Sequence, residues 1–207
     1  MARKNYGEAI TAYQAALKTE PNTEGAIRLF GAYIESGNLA KANEHLEAWV
    51  RSNPNDITAM RALAEGYLRA DNLTAARAWY EKILSQAGPQ PSTLNNLANI
   101  LLRQRDAKAV AYAERAHALS PNDAAVLDTL GWVLVQQGQV SAGLRYLREA
   151  RVRRPSSHEI RYHVAVALNA TGRPDEARSE LEPLTSANAD FEGAADARKL
   201  WRHLSSP

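Results

Sequence analysis

Three clusters carry residue types able to do chemistry. The first is His158-Glu159-Ile160-Arg161-Tyr162-His163. A hydrolytic zinc site on a helix needs two His at i and i+4, stacked on one face. Here the spacing is i to i+5, which rotates the second ring away from the first. The reading that remains is a solvated helix start, with Glu159 favourable to the positive end of the helix dipole. His45, His117 and His203 fall in separate segments, so no metal site is expected. The second cluster, Arg151-Val152-Arg153-Arg154-Pro155, closes a helical pattern, where cations complement the negative dipole end. A nucleic-acid surface needs a continued basic stripe with aromatics interleaved. Lys41, Arg77 and Lys108 do not supply one, so no nucleic-acid partner is expected. The third is Leu130-Gly131-Trp132, within DTLGWVLVQQGQ from Asp128 to Gln139. No phosphate-loop or dinucleotide pattern surrounds Gly131, and helix packing accounts for it better.

Other chemistry is poorly supplied. The 207 residues contain no Cys, which removes disulfides, thiolate catalysis and Cys-ligated metals. Ser92, Ser120 and Ser156 lie in turns and caps, and none sits in G-x-S-x-G. The carboxylates fit solvated faces or helix starts. Neither an enzyme nor a cofactor is expected. Lys plus Arg is 25 against 23 for Asp plus Glu, a balance that favours no polyanionic partner. The apolar fraction of 45% is ample for a core. No apolar run approaches the roughly 18 residues of a membrane span, so direct insertion is not expected. The start, MARKNYGEAITAYQAAL, has polar residues throughout and is not a signal peptide.

The elements that hold these residues repeat. Gly37 to Asp71, Gly138 to Gly172 and Pro121 to Pro155 are each spaced by about 34 residues. Ala26, Leu29, Phe30 and Tyr33 fall at i, i+3, i+4 and i+7, the pattern of one apolar helix face. It returns as Met60/Leu63/Ala64/Tyr67, Leu94/Leu97/Ala98/Leu101, Leu127/Leu130/Gly131/Leu134 and Arg161/Val164/Ala165/Leu168. The third member is usually small, which lets the helices of a pair approach closely. Second helices repeat Ala42/Leu46/Trp49, Ala76/Tyr80/Ile83, Gly143/Leu147/Ala150 and Ala177/Leu181/Leu184.

On these marks the chain resembles the tetratricopeptide-repeat family from about Asn5 to Asn188. The resemblance implies an all-α fold, a right-handed α-α superhelix of about five helix pairs. One solenoid domain over 1–207 is expected. It divides into a half repeat at 4–22, repeats at 23–56, 57–90, 91–123, 124–157 and 158–189, and a capping helix at 190–204. Ala87-Gly88-Pro89-Gln90-Pro91 replaces the usual Pro-Asn join, so a change of pitch is expected there. Pro183 should kink or end its helix. The unpaired leading helix reads as a piece of a longer repeat array.

In such stacks the first helices line a concave side. A second stripe on each is then free for a partner, and in the fourth unit it contains Asp128, Trp132, Val135 and Gln136. Its counterparts include Arg61 and Glu65, then Asn95, Asn99 and Arg103, then Tyr162 and Asn169. Asn pairs with an extended backbone as donor and acceptor, and Trp and Tyr anchor interfaces. The expected partner is a protein or peptide segment lying in this groove. A clamp for a C-terminal carboxylate, known in one subgroup, is not expected. Asn96 matches its middle Asn, but Arg61/Glu65 and Ala125/Thr129 flank it.

A narrower resemblance begins at Asn95, in NNLANILL, AYAERAHALSPNDAAVLDTLGWVLVQQGQ and IRYHVAVALNATGRPDEAR. These are similar to the C-terminal repeats of bacterial lipoproteins of the exosortase (PEP-CTERM) system. That resemblance implies a role near exopolysaccharide or protein-sorting loci and a periplasmic setting, with the cytoplasm as the alternative. The competing function is a structural spacer or self-assembly element. Oligomeric state is not fixed by the sequence.

Overall fold

Side-chain caps start most of the helices. Asn5, Asn22, Asn38, Asp56, Asn72, Asp123 and Ser157 each accept a hydrogen bond from a backbone N–H in the first turn that follows. Each such cap satisfies a donor that the helix itself leaves unpaired. The computed structural model describes residues 5–185 and 190–205, and among them it contains twelve α-helices and no strand. These are α1 (Tyr6–Thr19), α2 (Thr23–Glu35), α3 (Leu39–Ser52), α4 (Ile57–Arg69), α5 (Leu73–Ala87) and α6 (Pro91–Arg103). They continue as α7 (Ala109–Leu119), α8 (Ala124–Gln136), α9 (Val140–Arg153), α10 (His158–Ala170), α11 (Pro174–Leu181) and α12 (Ala194–Ser205).

The turn inside each of five helix pairs is built the same way. The second residue after the first helix's end has positive φ at Gly37, Asp71, Arg105, Gly138 and Gly172. The following N–H then reaches back to a carbonyl five residues earlier: Asn38 to Tyr33, Asn72 to Tyr67, Asp106 to Leu101, Gln139 to Leu134 and Arg173 to Leu168. This arrangement satisfies the carbonyls at a helix C-terminus and reverses the chain. It recurs at Arg105, where the sequence has no Gly and one residue fewer.

Internal contacts divide the chain into two units, one ending at Pro89 and one beginning at Gln90. The division falls in the Gly88-Pro89 join, where Gly88 has φ of 72°. In the first unit α1 to α5 pack successively, and α2 also touches α4. Its core includes Leu29, Met60, Leu63 and Ala64 with Leu46, Tyr80 and Ile83. In the second unit α6 lies beside α8 and α8 beside α10, each also packed on its own second helix. Leu127, Leu147, Ile160, Val164, Leu168 and Leu181 belong to one buried apolar cluster of this unit.

Three expectations need correction or sharpening. Arg161 occupies an apolar position of the repeat but is not an apolar contact, since its guanidinium pairs with Glu180 at 3.2 Å. The last helix begins at Ala194 rather than Asp190, because Gly193 adopts φ of 93° and interrupts the pattern. α11 ends at Leu181, and the chain tightens into a 3-10 turn at Glu182–Leu184 around Pro183. Lys4 and residues 186–189, at the edges of two expected segments, lie outside the described residues.

Candidate functional site

The expected groove residues fall in both units. Arg61 is half-buried and Glu65 exposed on α4, in the first unit. The other eight stand on α6, α8 and α10, the neighbouring first helices of the second unit. On α6, Asn95 and Asn99 are half-buried and Arg103 exposed. The Asn99 amide donates to the Thr129 hydroxyl at 3.2 Å, tying α6 to α8. Asn95 Oδ1 is shut off from solvent and accepts no hydrogen bond among the described residues. Leaving a buried acceptor unmet costs its desolvation, and an oxygen closed to water is equally closed to a partner's N–H.

On α8 the expected residues differ in exposure. Gln136 is exposed and Trp132 half-buried. Val135 does not face the groove: it is 8% exposed, and its Cγ2 lies against the α9 backbone at Gly143. Asp128 is not on the groove surface either. It is 8% exposed, and its Oδ1 meets His163 Nδ1 at 2.9 Å. His163 was expected on a solvated helix start, yet it is buried. Its ring stacks on the Trp132 indole with centroids 4.1 Å apart and an 11° interplanar angle. The one-residue excess over the i, i+4 spacing, which ruled out a zinc pair, is what turns His163 inward toward α8. A polar residue at one repeat position facing a His about one repeat later was the only available signal.

Tyr162 and Asn169 on α10 are half-buried. The Tyr162 ring packs against Trp132 at 6.1 Å and Phe191 at 6.3 Å. Phe191 also meets His158 edge-on at 5.8 Å. Gly193 lies so close that a Cβ there would sit 2.9 Å from the Tyr162 ring. The segment leading into α12 therefore borders the groove at Tyr162, a contact that the sequence pattern did not reveal. Burial and then the Asp196 charge raise the Tyr162 pKa. Glu159, exposed in area but standing in this crowded corner, also has a raised pKa. Desolvation is the largest cause, and Asp128 and Glu192 add to it while His163 and Arg154 oppose it.

The basic run is engaged internally. Arg151 pairs with Glu180 at 3.2 Å, and Arg153 with Glu149 at 2.8 Å. Arg153 also donates to Asn122. Among the described residues no group of three His, Cys, Asp or Glu could hold a metal ion. No helix is long and apolar enough to cross a membrane.

Two tetratricopeptide-repeat family models match the chain, at residues 1–66 and 129–189. Among curated proteins, it is 28% identical over 158 residues to the TPR repeat-containing protein PA4667 of Pseudomonas aeruginosa. That alignment covers 76% of this chain and 21% of the relative. The cellulose synthase operon protein C of Xanthomonas axonopodis pv. citri is 29% identical over 175 residues, 79% of this chain and 11% of that protein. The chain thus spans a small part of the relatives it matches. Among solved structures, the fold is similar to YrrB, described as a TPR protein with an unusual peptide-binding site. Its TM-score is 0.64 at 19% identity, covering 92% of this chain and 100% of that one.

Proposed function

Because the chain is built of tetratricopeptide repeats, we propose that it is a non-catalytic scaffold that holds a peptide or protein segment along α6, α8 and α10. The observation that carries this reading is the half-exposed Trp132–Tyr162 ring pair on the adjacent helices α8 and α10. The half-buried Asn99 amide stands in the same three-helix layer, on α6. An extended segment supplies side-chain contact to the rings and backbone groups to the amide. Gln136, exposed on α8, offers a further amide.

The test is selection of phage-displayed peptides on the folded chain, followed by titration of the winners against Trp132→Ala and Asn99→Ala. Each variant should keep its helical circular dichroism, and affinity should fall about tenfold or more for loss of an anchor. Undiminished binding by folded variants would remove the groove from consideration.

The biological setting is also a proposal. The narrower likeness to exosortase-system repeats and the similarity to a cellulose synthase operon protein both support a role in envelope or exopolysaccharide assembly. A periplasmic location fits that role, and a lipid-attachment signal in sequence upstream of this chain would establish it. The second reading, a spacer or self-assembly element, draws on α1, which buries no residue fully. Light scattering that gave a monodisperse monomer across concentration would count against it.

A further inference from the structure

The aromatic corner of the second unit carries more than the groove reading asks of it. Trp132, Tyr162 and Phe191 form a chain of ring contacts, and all three remain half-exposed. Carboxylates surround them. Glu192 lies between Phe191 and Gly193, both of which touch Tyr162. Glu159 adjoins His158, which meets Phe191. Asp196 stands one turn further along, close enough for Tyr162 to feel its charge.

Their charges are not neutralised in place. Glu159, Glu192 and Asp196 are exposed and make no ion pair with any described residue. Arg154 and His163 approach from the packed elements, and Arg198 and Lys199 follow Asp196 on α12 itself. Arg154 acts on Glu159 from beyond α9, and His163 is engaged by the buried Asp128. On α9 and α10, Arg151 and Arg161 both pair with Glu180. His163 covers one face of Trp132, so a ligand meets the exposed remainder of Trp132 and Tyr162, with Glu159, Glu192 and Asp196 at its border.

We propose that this corner receives an arginine or lysine side chain of the bound segment, set against the Trp132 and Tyr162 rings and facing Glu159, Glu192 and Asp196. A cation beside an aromatic face gains from the ring quadrupole, most strongly with Trp. Carboxylates at the rim add attraction and speed encounter. The occupant is therefore a basic peptide rather than an acidic or wholly apolar one. The inference rests on the groove reading and names the side chain the partner brings to one end of it.

The probe is a tri-arginine peptide, with triglutamate as control, titrated into the 15N-labelled chain. The chain has four Trp, and Trp132→Phe assigns the relevant indole N–H. Tri-arginine should shift the Trp132 indole saturably, triglutamate should not, and added salt should weaken the response. Glu159→Gln/Glu192→Gln should retain the fold and weaken tri-arginine binding by about fivefold or more. An unmoved Trp132 resonance, or equal affinity in the double variant, would overturn the inference. Selected groove peptides that bind through Asn99 and Trp132 yet carry no Arg or Lys would overturn it while leaving the groove intact. A normal tri-arginine response with no groove peptide at all would instead sink the groove and keep the cationic corner.

Discussion

Asp128 shows how far a residue's role departs from its place in a pattern. The stripe at i, i+4 and i+8 puts it beside Trp132 and Gln136, and backbone geometry does carry it toward α10. What the pattern lacks is the partner. His163 fills the space above Asp128, so the carboxylate is shielded and the imidazole is fixed against the indole. Removing one member of such a pair leaves the other buried without its hydrogen bond, typically a cost of about 2–4 kcal/mol. Asp128→Ala should therefore lower the midpoint of chemical denaturation markedly, while Asp128→Asn, which keeps an accepting oxygen, should cost less than half as much. Equal losses would mean that volume rather than the hydrogen bond matters at this site. The half-exposure of Trp132 agrees with its place on the second stripe of its helix. The Asp–His pair was not legible, because hydrogen bonding across separate helices has no sequence period.

At the scale of elements the sequence was far more informative. Helix starts follow Asn, Asp and Ser caps, and the apolar faces are those given by the i, i+3, i+4, i+7 spacing. Small residues mark where helices cross most closely. At the α8–α9 crossing Gly131 and Gly143 face one another. A Cβ on Gly131 would lie 2.7 Å from Leu147 Cγ and 2.9 Å from the Gly143 carbonyl oxygen. A backbone oxygen cannot move aside as a flexible side chain can. Gly131→Ala should destabilise the second unit by about 1–3 kcal/mol through overpacking, despite the better helix propensity of Ala. Thermal denaturation reads this directly, and a raised midpoint would show that the crossing has slack. Element boundaries were less legible where backbone conformation decides them. Arg105 adopts φ of 57° without being Gly, and Gly193 delays α12 by breaking a pattern that otherwise continues.

Stacked helix pairs make stability a sum of local terms, each pair resting on its neighbours. In the first unit Asp56 joins three elements. It accepts from Trp49 Nε1 at the end of α3 and from the Thr23 hydroxyl at the start of α2, both at 2.8 Å, and it caps α4 through Ala59 N–H at 2.9 Å. Burial opposes its ionisation, but the hydrogen bonds from Ala59, Trp49 and Thr23 outweigh that and hold its pKa below the usual carboxylate value. A carboxylate depressed on folding contributes stability that is complete above its unfolded pKa, about 3.9, and is lost as pH falls through the folded value. Asp56→Asn should therefore be less stable than the parent by about 1 kcal/mol near neutral pH. That difference should hold from neutrality down to about pH 5 and shrink below pH 4, where the parent's own Asp56 takes up a proton. Because the joined elements are α2, α3 and α4, amide hydrogen exchange should accelerate there in the variant. It should stay unchanged in α8 and α10, whose contacts Asp56 does not touch. Uniform acceleration along the chain would instead mean that the two units open as one, and the nearest-neighbour account would have to be abandoned.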